Sequence, residues 1–279
     1  MGNKQGEVIS NAEYRSRDGV SSTELKRIAI SPLHYKYWKE HPQESDTPAL
    51  LFGRGAHKYI LETDSFFEEF SVMPICDRRT KDGKAIYEKF LEDSKGKDVI
   101  SHDDFEKIKA MKEAMDKTPF VKRLLDGEHE KSFFWTDKET GIKCKVRPDS
   151  FNRDLKVCLD YKTADNATTR KFMNKSIDLN YDLQAAMYLE GLKQNLGEDY
   201  TFVFLVQEKR APYIVNILQC SDDYIRSGKD MFKTMLQTYK HCTETNNWYG
   251  LLGENPEINS LELPGWMQNL YEEEEEEYD

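Results

Sequence analysis

The chain has 279 residues, of which 38% are hydrophobic and 33% are charged, and its formal net charge is −11. This composition suffices for one sizeable core, or for a core domain with a smaller helical one, and it excludes disorder throughout. The charge is unusual for a nucleic-acid enzyme, but the stretch 272–279 alone carries −7 and leaves −4 on residues 1–270. We expect this acidic tail to be solvated and disordered, rather than a partner-binding or DNA-mimicking segment.

Two further classes are disfavoured by the sequence. No apolar run approaches the roughly 20 residues of a membrane span, and the N-terminus lacks the apolar region of a signal peptide, so we predict a cytoplasmic protein. The five cysteines are scattered without Cys-x-x-Cys spacing, which argues against a disulfide framework and against a zinc or iron–sulfur site. They are Cys76, Cys144, Cys158, Cys220 and Cys242.

The first part of the chain predicts helices. Residues 1–20 are polar and are expected to be loose, and Ser21-Ser22 can cap a helix over 23–29. Ser31-Pro32 begins a second, aromatic-rich helix that ends at His41-Pro42. Core packing is the commoner explanation of its aromatic residues, although they could also stack on bases.

An amphipathic helix is predicted over 49–62. Phe52, Ala56 and Ile60 lie on one stripe of this helix, and His57 lies one step off it. A lone histidine in such a place is more often a hydrogen-bonded core residue than a metal ligand, and the spacing alone does not decide between the two.

Residues 77–136 are predicted to contain a basic loop, a helix, a turn and a strand. The basic stretch 77–85 is predicted to be a loop, either solvated or gripping phosphates. A helix is predicted over 103–125, then a turn at Asp126-Gly127, and then a strand over 130–136 that pairs with the central hairpin. Glu130 begins that strand, near the point where acidic side chains are expected to converge.

The central hairpin carries the best chemical evidence. Residues 142–149 alternate apolar and polar like a half-buried strand, the segment FNRD follows as a turn, and 155–162 forms the second strand. Asp160 and Lys162 share a face of this second strand, and Asp149 can lie beside Asp160 across the ladder.

Two carboxylates and one amine therefore converge. Like charges held close together are costly unless a cation lies between them, and hard oxygen ligands favour Mg²⁺, with Mn²⁺ as a substitute. A surface hairpin with an ordinary ion pair is the open alternative, because a lysine two residues after an aspartate also occurs at Lys84 and Lys156.

The remainder predicts an α/β core with helices on both sides of the sheet. After a polar break at 163–169, a helix over 170–196 turns Leu183, Met187 and Leu192 inward. Gln184 and Tyr188 share another face of it, which is either solvated or in contact with DNA. Strands are predicted over 200–207 and 213–219, and a final helix over 221–243.

These motifs together resemble the RecE-type branch of the PD-(D/E)XK nucleases, the phage and prophage 5′ to 3′ double-strand exonucleases related to exonuclease VIII. The resemblance extends over most of residues 20–270 and rests on GRGAH ending at His57, HEKSFFW with Glu130, Pro148-Asp149, Asp160-Tyr161-Lys162, Gln184 to Tyr188, LVQEKRAPYIVNI and LELPGW. It implies a PD-(D/E)XK (restriction-endonuclease-like) core, with a central mixed β-sheet flanked by helices and an N-terminal helical region. A single nuclease domain would then cover 21–270, with 21–125 mainly helical, 126–220 as the catalytic sheet core and 221–270 as the C-terminal helix and closing segment.

The resemblance also implies roles for the motif residues. Asp149 and Asp160 would bind Mg²⁺ with the Tyr161 backbone carbonyl and His57, Glu130 would serve a second metal, and Lys162 would orient and activate water. Gln184, Tyr188, Arg147 and Arg54 would support the site or contact DNA. Asp160 stands where glutamate is commoner in the generic motif, a change that this branch tolerates.

The function implied is a Mg²⁺-dependent exonuclease that degrades linear double-stranded DNA to leave 3′ single-stranded tails for a RecT-like annealing protein. A homo-oligomeric ring of three or four subunits is implied as well, in the cytoplasm of a bacterium or a phage-infected host. The alternative is a relative that binds DNA ends in a recombination or repair complex without cutting, which would not need the whole constellation. Nucleases of the same fold found beside helicases commonly carry an iron–sulfur cluster, and the cysteine spacing speaks against that class.

Overall fold

The computed structural model describes residues 5–42, 47–256, 258 and 260–263, so the acidic tail and the end of the LELPGW motif lie outside the described residues. The helices are α1 (Asn11–Ser16), α2 (Ser22–Ile30), α3 (Pro32–Glu40), α4 (Pro48–Leu61), α5 (Phe66–Glu69), α6 (Lys81–Asp93), α7 (His102–Asp116), α8 (Pro119–Leu125), α9 (Thr169–Asp178), α10 (Tyr181–Leu196) and α11 (Asp222–Thr245). The strands are β1 (Phe70–Val72), β2 (Asp98–Ile100), β3 (Glu128–His129), β4 (Phe133–Thr136), β5 (Lys143–Val146), β6 (Ser150–Asn152), β7 (Val157–Ala164), β8 (Thr201–Glu208) and β9 (Val215–Gln219). Within these ranges no helix is both long and apolar enough to cross a membrane.

A five-stranded mixed sheet organises the molecule. Its strand order is β3-β6-β7-β8-β9, with β7 and β8 parallel and the other pairs antiparallel. The parallel pair is connected by α9 and α10, as a crossover between parallel strands requires. Two small sheets, β1-β2 and β4-β5, lie apart from it. The predicted α/β class, with a mixed sheet between helices, is confirmed.

The two faces of the sheet pack against two hydrophobic clusters. On one face Cys158, Phe202 and Phe204 join the cluster that contains α2, α10 and α11. On the other face Leu159 and Tyr161 join the cluster that contains α4, α7 and α8. Because side chains alternate along a strand, Asp160 and Lys162 of β7 point to the α2 and α10 side.

Local capping explains where the helices near the site begin. The Ser21 side chain and backbone both donate to Glu24 Oε2 at 2.9 Å, which closes a capping box at the start of α2. Thr47 caps α4 by accepting the N–H of Leu50 at 3.3 Å, and Pro48 occupies the first turn, where no backbone donor is needed. Both predicted helices are therefore present, within one or two residues of their expected ends.

The central hairpin differs from its prediction. Strand β5 pairs with β4 in a separate sheet, and the partner of β7 is the short strand β6, with Ser150 opposite Leu159. The chain changes sheets between Val146 and Ser150, where Pro148 has no N–H to give to a ladder. Continuing the β6–β7 register by one residue places Asp149 opposite Asp160, so the expected juxtaposition is present through another strand.

Four further expectations about helices and loops differ from the structure. The helix predicted over 103–125 is interrupted at Pro119, which starts α8, and that over 170–196 is interrupted at Asn180, whose φ is 51°. The basic stretch predicted as a loop contains the start of α6, because the Thr80 hydroxyl accepts the Gly83 N–H at 3.0 Å. Residues 11–16, which were expected to be loose, form α1.

Candidate active site

Strand β7 carries an ion pair at the centre of the sheet. Lys162 Nζ lies 2.6 Å from Asp160 Oδ2, and the Asp160 side chain is only 1% exposed. Gln184 of α10 donates from Nε2 to the other oxygen, Oδ1, at 2.5 Å. Burial lowers the pKa of Lys162, but the attraction of Asp160, Tyr181 and Asp149 outweighs burial and raises it above its usual range. Lys162 is therefore a stable cation that can donate hydrogen bonds or neutralise a developing negative charge.

Asp149 occupies the position just before β6. Its Oδ2 accepts the backbone N–H of Tyr161 at 2.6 Å and lies 3.4 Å from His57 Nδ1. Burial, together with the negative charge of Asp160, raises the pKa of Asp149 to about 6, although the neighbouring His57 and Lys162 lower it. The central strand thus orients this carboxylate through a backbone bond.

Glu130 lies in the connection between β3 and β4. Its φ of 51° is in the left-handed region, and its N–H donates to the Asp149 carbonyl at 3.2 Å. Arg147 holds its carboxylate, with Nε 2.7 Å from Oε2, and the same Nε donates to the Glu130 carbonyl at 2.9 Å. Burial and the charge of Asp149 raise the pKa of Glu130 to about 8.

Three of these side chains form a group that fits a divalent cation. One ligand atom each from His57, Glu130 and Asp149 lies within 4.8 Å of the other two. Two carboxylates with raised pKa values, set beside an imidazole, are stabilised in their charged form by a divalent cation. The carboxylate of Asp160 faces Lys162 and Gln184, and its role as a further ligand, like that of the Tyr161 carbonyl, stays a prediction.

An open cleft of about 390 Å³ lies in front of this group. His57, Glu130, Arg147, Lys162 and Tyr181 are among its lining residues. Two further cations line it within ion pairs, Arg54 with Asp98 and Lys58 with Glu62 at 3.0 Å. The expected contact of Arg54 with DNA stays a prediction, and the structure places this residue at the cleft.

The predicted Gln184 and Tyr188 pair does not form a solvated face. Gln184 is 4% exposed and donates a hydrogen bond to Asp160, and its role in supporting the site stays a prediction. Tyr188 packs on Phe202, with ring centroids 6.2 Å apart, and its burial raises the pKa of its hydroxyl well above the ordinary value. The expected DNA contact of Tyr188 stays untested, and the contact that the structure gives it belongs to the core.

Two neighbours of the site, Lys26 and Tyr181, were not predicted. Lys26 of α2 donates from Nζ to Gln184 Oε1 at 2.9 Å, and it lies over the ring of Tyr181, 5.1 Å from the centroid. Lys162 lies over the same ring, 4.8 Å from the centroid. Burial and the charge of Lys162 lower the pKa of Lys26 to about 8, although Asp160 raises it. No local sequence pattern marks Lys26, because its partner is 158 residues away.

The comparisons with known proteins agree with this architecture. A family model described as a PDDEXK-like domain of unknown function (DUF3799) matches residues 21–255. The crystal structure of a "putative exonuclease" from Eubacterium rectale is similar, with a TM-score of 0.62 and 16% identity over 95% of this chain and 98% of that one. The protein SSO0001 matches over 77% of this chain and 91% of its own at 12% identity, and its TM-score of 0.31 supports no argument. No curated protein matches the sequence.

Proposed function

This chain belongs to the family of the PDDEXK-like domain of unknown function (DUF3799), and from that premise we propose that it is a divalent-metal-dependent nuclease that cleaves DNA. The observation that carries the proposal is the convergence of His57, Glu130 and Asp149 beside the Asp160–Lys162 pair at one cleft. Metal-dependent sites that cleave phosphodiesters use clustered carboxylates to hold the cation, and a fixed cationic donor can stabilise the charge on the phosphate; this cleft has both.

The residues divide into groups that hold a cation and groups that act on the phosphodiester. His57, Glu130 and Asp149, with Asp160 beside them, would hold a divalent cation. When bound, such a cation lowers the pKa of a water molecule and offsets charge on phosphate oxygens. Lys162 Nζ can orient the attacking water and stabilise the negative charge that develops on the phosphoryl oxygens.

The surrounding contacts hold these side chains in position before the substrate binds. The Tyr161 N–H holds Asp149 at 2.6 Å and Gln184 holds Asp160 at 2.5 Å, so neither carboxylate is free to rotate. Arg147 keeps Glu130 in place through two contacts of its Nε. A preorganised site of this kind loses little energy to rearrangement during the reaction.

The finer activity that we propose is degradation of linear double-stranded DNA from 5′ ends, which leaves 3′ single-stranded tails. The resemblance to RecE-type nucleases supports this direction, and the name of the Eubacterium rectale protein supports only the exonuclease activity. The same resemblance leads us to propose Mg²⁺ as the cation, a RecT-like annealing partner, and a ring of three or four subunits around the DNA.

An end-labelled DNA assay tests the proposal. Linear duplex labelled at either the 5′ or the 3′ end is incubated with Mg²⁺, Mn²⁺, Ca²⁺ or EDTA, and covalently closed circular DNA serves as the second substrate. We expect cutting with Mg²⁺ or Mn²⁺, none with Ca²⁺ or EDTA, early release of the 5′ label, and intact circles.

The Asp149→Asn variant is the catalytic control, because it removes a charge and keeps the shape of the side chain. Equal cutting of closed circles would point to an endonuclease. End binding without cutting by the wild-type protein in any metal would favour the alternative of a DNA-end-binding component.

A further inference from the structure

Lys26 brings a second lysine to the candidate site from a distant part of the chain. It lies on α2, whereas Gln184 lies on α10, and the bond of 2.9 Å between them joins the N-terminal helices to the sheet. Lys26 and Lys162 flank the ring of Tyr181, at 5.1 Å and 4.8 Å from its centroid. The roles assigned above do not use this lysine.

The two partners of the Gln184 amide, a donor and an acceptor, fix its orientation. An ammonium group has three donors and no acceptor, so Lys26 can meet only the oxygen of the amide. With Oε1 turned toward Lys26, the amide nitrogen must face Asp160, where it donates at 2.5 Å. The reversed amide would place its oxygen against the Asp160 carboxylate and its nitrogen against an ammonium, which is unfavourable at both ends.

The contacts of Asp160 show what depends on this orientation. One carboxylate oxygen accepts from Gln184, and the other is 2.6 Å from Lys162 Nζ. Each oxygen still has a lone pair available to a cation. The two existing contacts hold the carboxylate in place and so fix the direction of these lone pairs. A Gln184 side chain free to turn over would release one of the two.

We propose that Lys26 is a positioning residue that locks the Gln184 amide and, through it, orients the Asp160 carboxylate toward a divalent cation. The inference rests on the proposed function in so far as Asp160 is a ligand of that cation. Lys26 acts through another side chain, so it is not a catalytic residue in the sense that Lys162 is.

Lys145, which is buried, shows how a lysine away from the site is held. Lys145 Nζ donates to three backbone carbonyls, those of Tyr14 at 3.1 Å, Arg15 at 3.2 Å and Arg17 at 2.6 Å. Lys26 instead gives its hydrogen bond, among the described residues, to a neutral amide. An ammonium in such surroundings is expensive for stability alone, which is consistent with a task at the site.

The test measures metal binding without DNA. Binding of Mn²⁺ is followed by electron paramagnetic resonance for the wild type, Lys26→Met, Lys26→Arg, Gln184→Leu and the Lys26→Met/Gln184→Leu double variant. Lys193→Met is the matched control, because Lys193 lies on the same helix as Gln184 but is exposed and paired with Asp199. Circular dichroism verifies folding, and Lys26→Ala, which also lacks a donor, replaces Lys26→Met if the latter does not fold.

We expect Lys26→Met and Gln184→Leu each to weaken Mn²⁺ binding about tenfold, as the loss of an outer hydrogen bond to a metal ligand commonly does. The double variant should bind no more weakly than Gln184→Leu, because the two residues act in series. Lys26→Arg, which keeps a donor, should recover most of the affinity, and Lys193→Met should match the wild type.

The outcomes separate this inference from the proposed function. If the wild type binds Mn²⁺ and the variants follow this pattern but no DNA is cut, the nuclease proposal fails and the positioning role stands. Unchanged binding in Lys26→Met, losses that multiply in the double variant, or no Mn²⁺ binding by the wild type would each overturn the positioning role.

Discussion

The raised pKa of Asp149 predicts an unusual dependence of stability on pH in the metal-free protein. This carboxyl group has a pKa of about 6 in the folded chain against 3.8 ordinarily, because it is buried and lies near Asp160. Between about pH 4 and pH 6 the folded protein therefore holds a proton that the unfolded chain has released. The free energy of unfolding must fall as the pH rises through this window and must level off above it.

The size of the effect follows from the same values. A tenfold difference in proton affinity corresponds to about 1.4 kcal/mol, so a pKa of about 6 sets an upper bound of about 3 kcal/mol. Glu130 lies beside Asp149 and titrates together with it, so we expect about 1 to 3 kcal/mol. For a chain of this size that corresponds to about 2 to 5 °C in the melting temperature.

Melting curves of the wild type and Asp149→Asn in EDTA, at pH 4.5 and pH 7.5, isolate this contribution. Asparagine cannot ionise and can still accept the Tyr161 N–H, so the variant should gain stability relative to the wild type as the pH rises. Asp165→Asn is the control of opposite sign, because the ion pair with Lys209 lowers the pKa of that exposed carboxyl group. Its effect should stay within about 0.5 kcal/mol.

Adding Mn²⁺ at pH 7.5 should raise the melting temperature of the wild type above that of Asp149→Asn. A cation that binds only the folded wild type at a hundred times its dissociation constant adds about 2.7 kcal/mol, and the variant should gain much less. The reasoning is refuted if the difference between wild type and variant is the same at both pH values, or if Mn²⁺ stabilises both proteins equally.

Three further predictions concern catalysis and the tail. In a gel assay, Lys162→Ala should no longer cut linear duplex DNA, whereas Lys156→Ala should cut at the wild-type rate. Lys156 is 46% exposed and forms an ion pair with Glu198. Loss of cutting in both variants would indicate a folding defect. Asp160→Asn should lose cleavage but still bind duplex ends, slightly more tightly because one charge facing phosphate is gone, and wild-type cutting by this variant would exclude Asp160 from the reaction. Deleting 272–279 should leave cleavage and melting temperature intact and raise DNA affinity only at low salt, and a large loss of thermal stability would show that the tail is docked.

The local elements could be predicted because local rules determine them. Phe52, Ala56 and Ile60 repeat at helical spacing and are all buried, and the serine before α2 caps it as expected. The interruptions of helices were harder to place, because the helical spacing of apolar residues continues past Pro119 and Asn180 although the helices themselves are interrupted there. Periodicity reports which faces are apolar, whereas a single dihedral angle can end a helix.

The site was predictable only in part, for a related reason. Asp149, Asp160 and Lys162 lie close together in sequence, so a hairpin argument could associate them even with the wrong partner strand. The contact of Lys26 with Gln184 depends on how α2 packs against α10, and no spacing within either helix encodes it. Glu130 reaches its place through a left-handed backbone conformation that its residue type does not favour.

Helix α2 is far in sequence from the helices α10 and α11 that it packs against, and this has a consequence for biosynthesis. Helix α2 packs against α10 and α11, so it has no complete surface to dock on until the chain has been made beyond Thr245. During translation α2 is made before α10, so the contact of Lys26 with Gln184 can form only once both helices have been made. A ribosome-bound chain that stops before α10 can contain every acidic residue of the cleft and still lack the amide that orients Asp160. The complete arrangement therefore requires the chain at least as far as α10, and a nascent chain that stops earlier lacks part of the site.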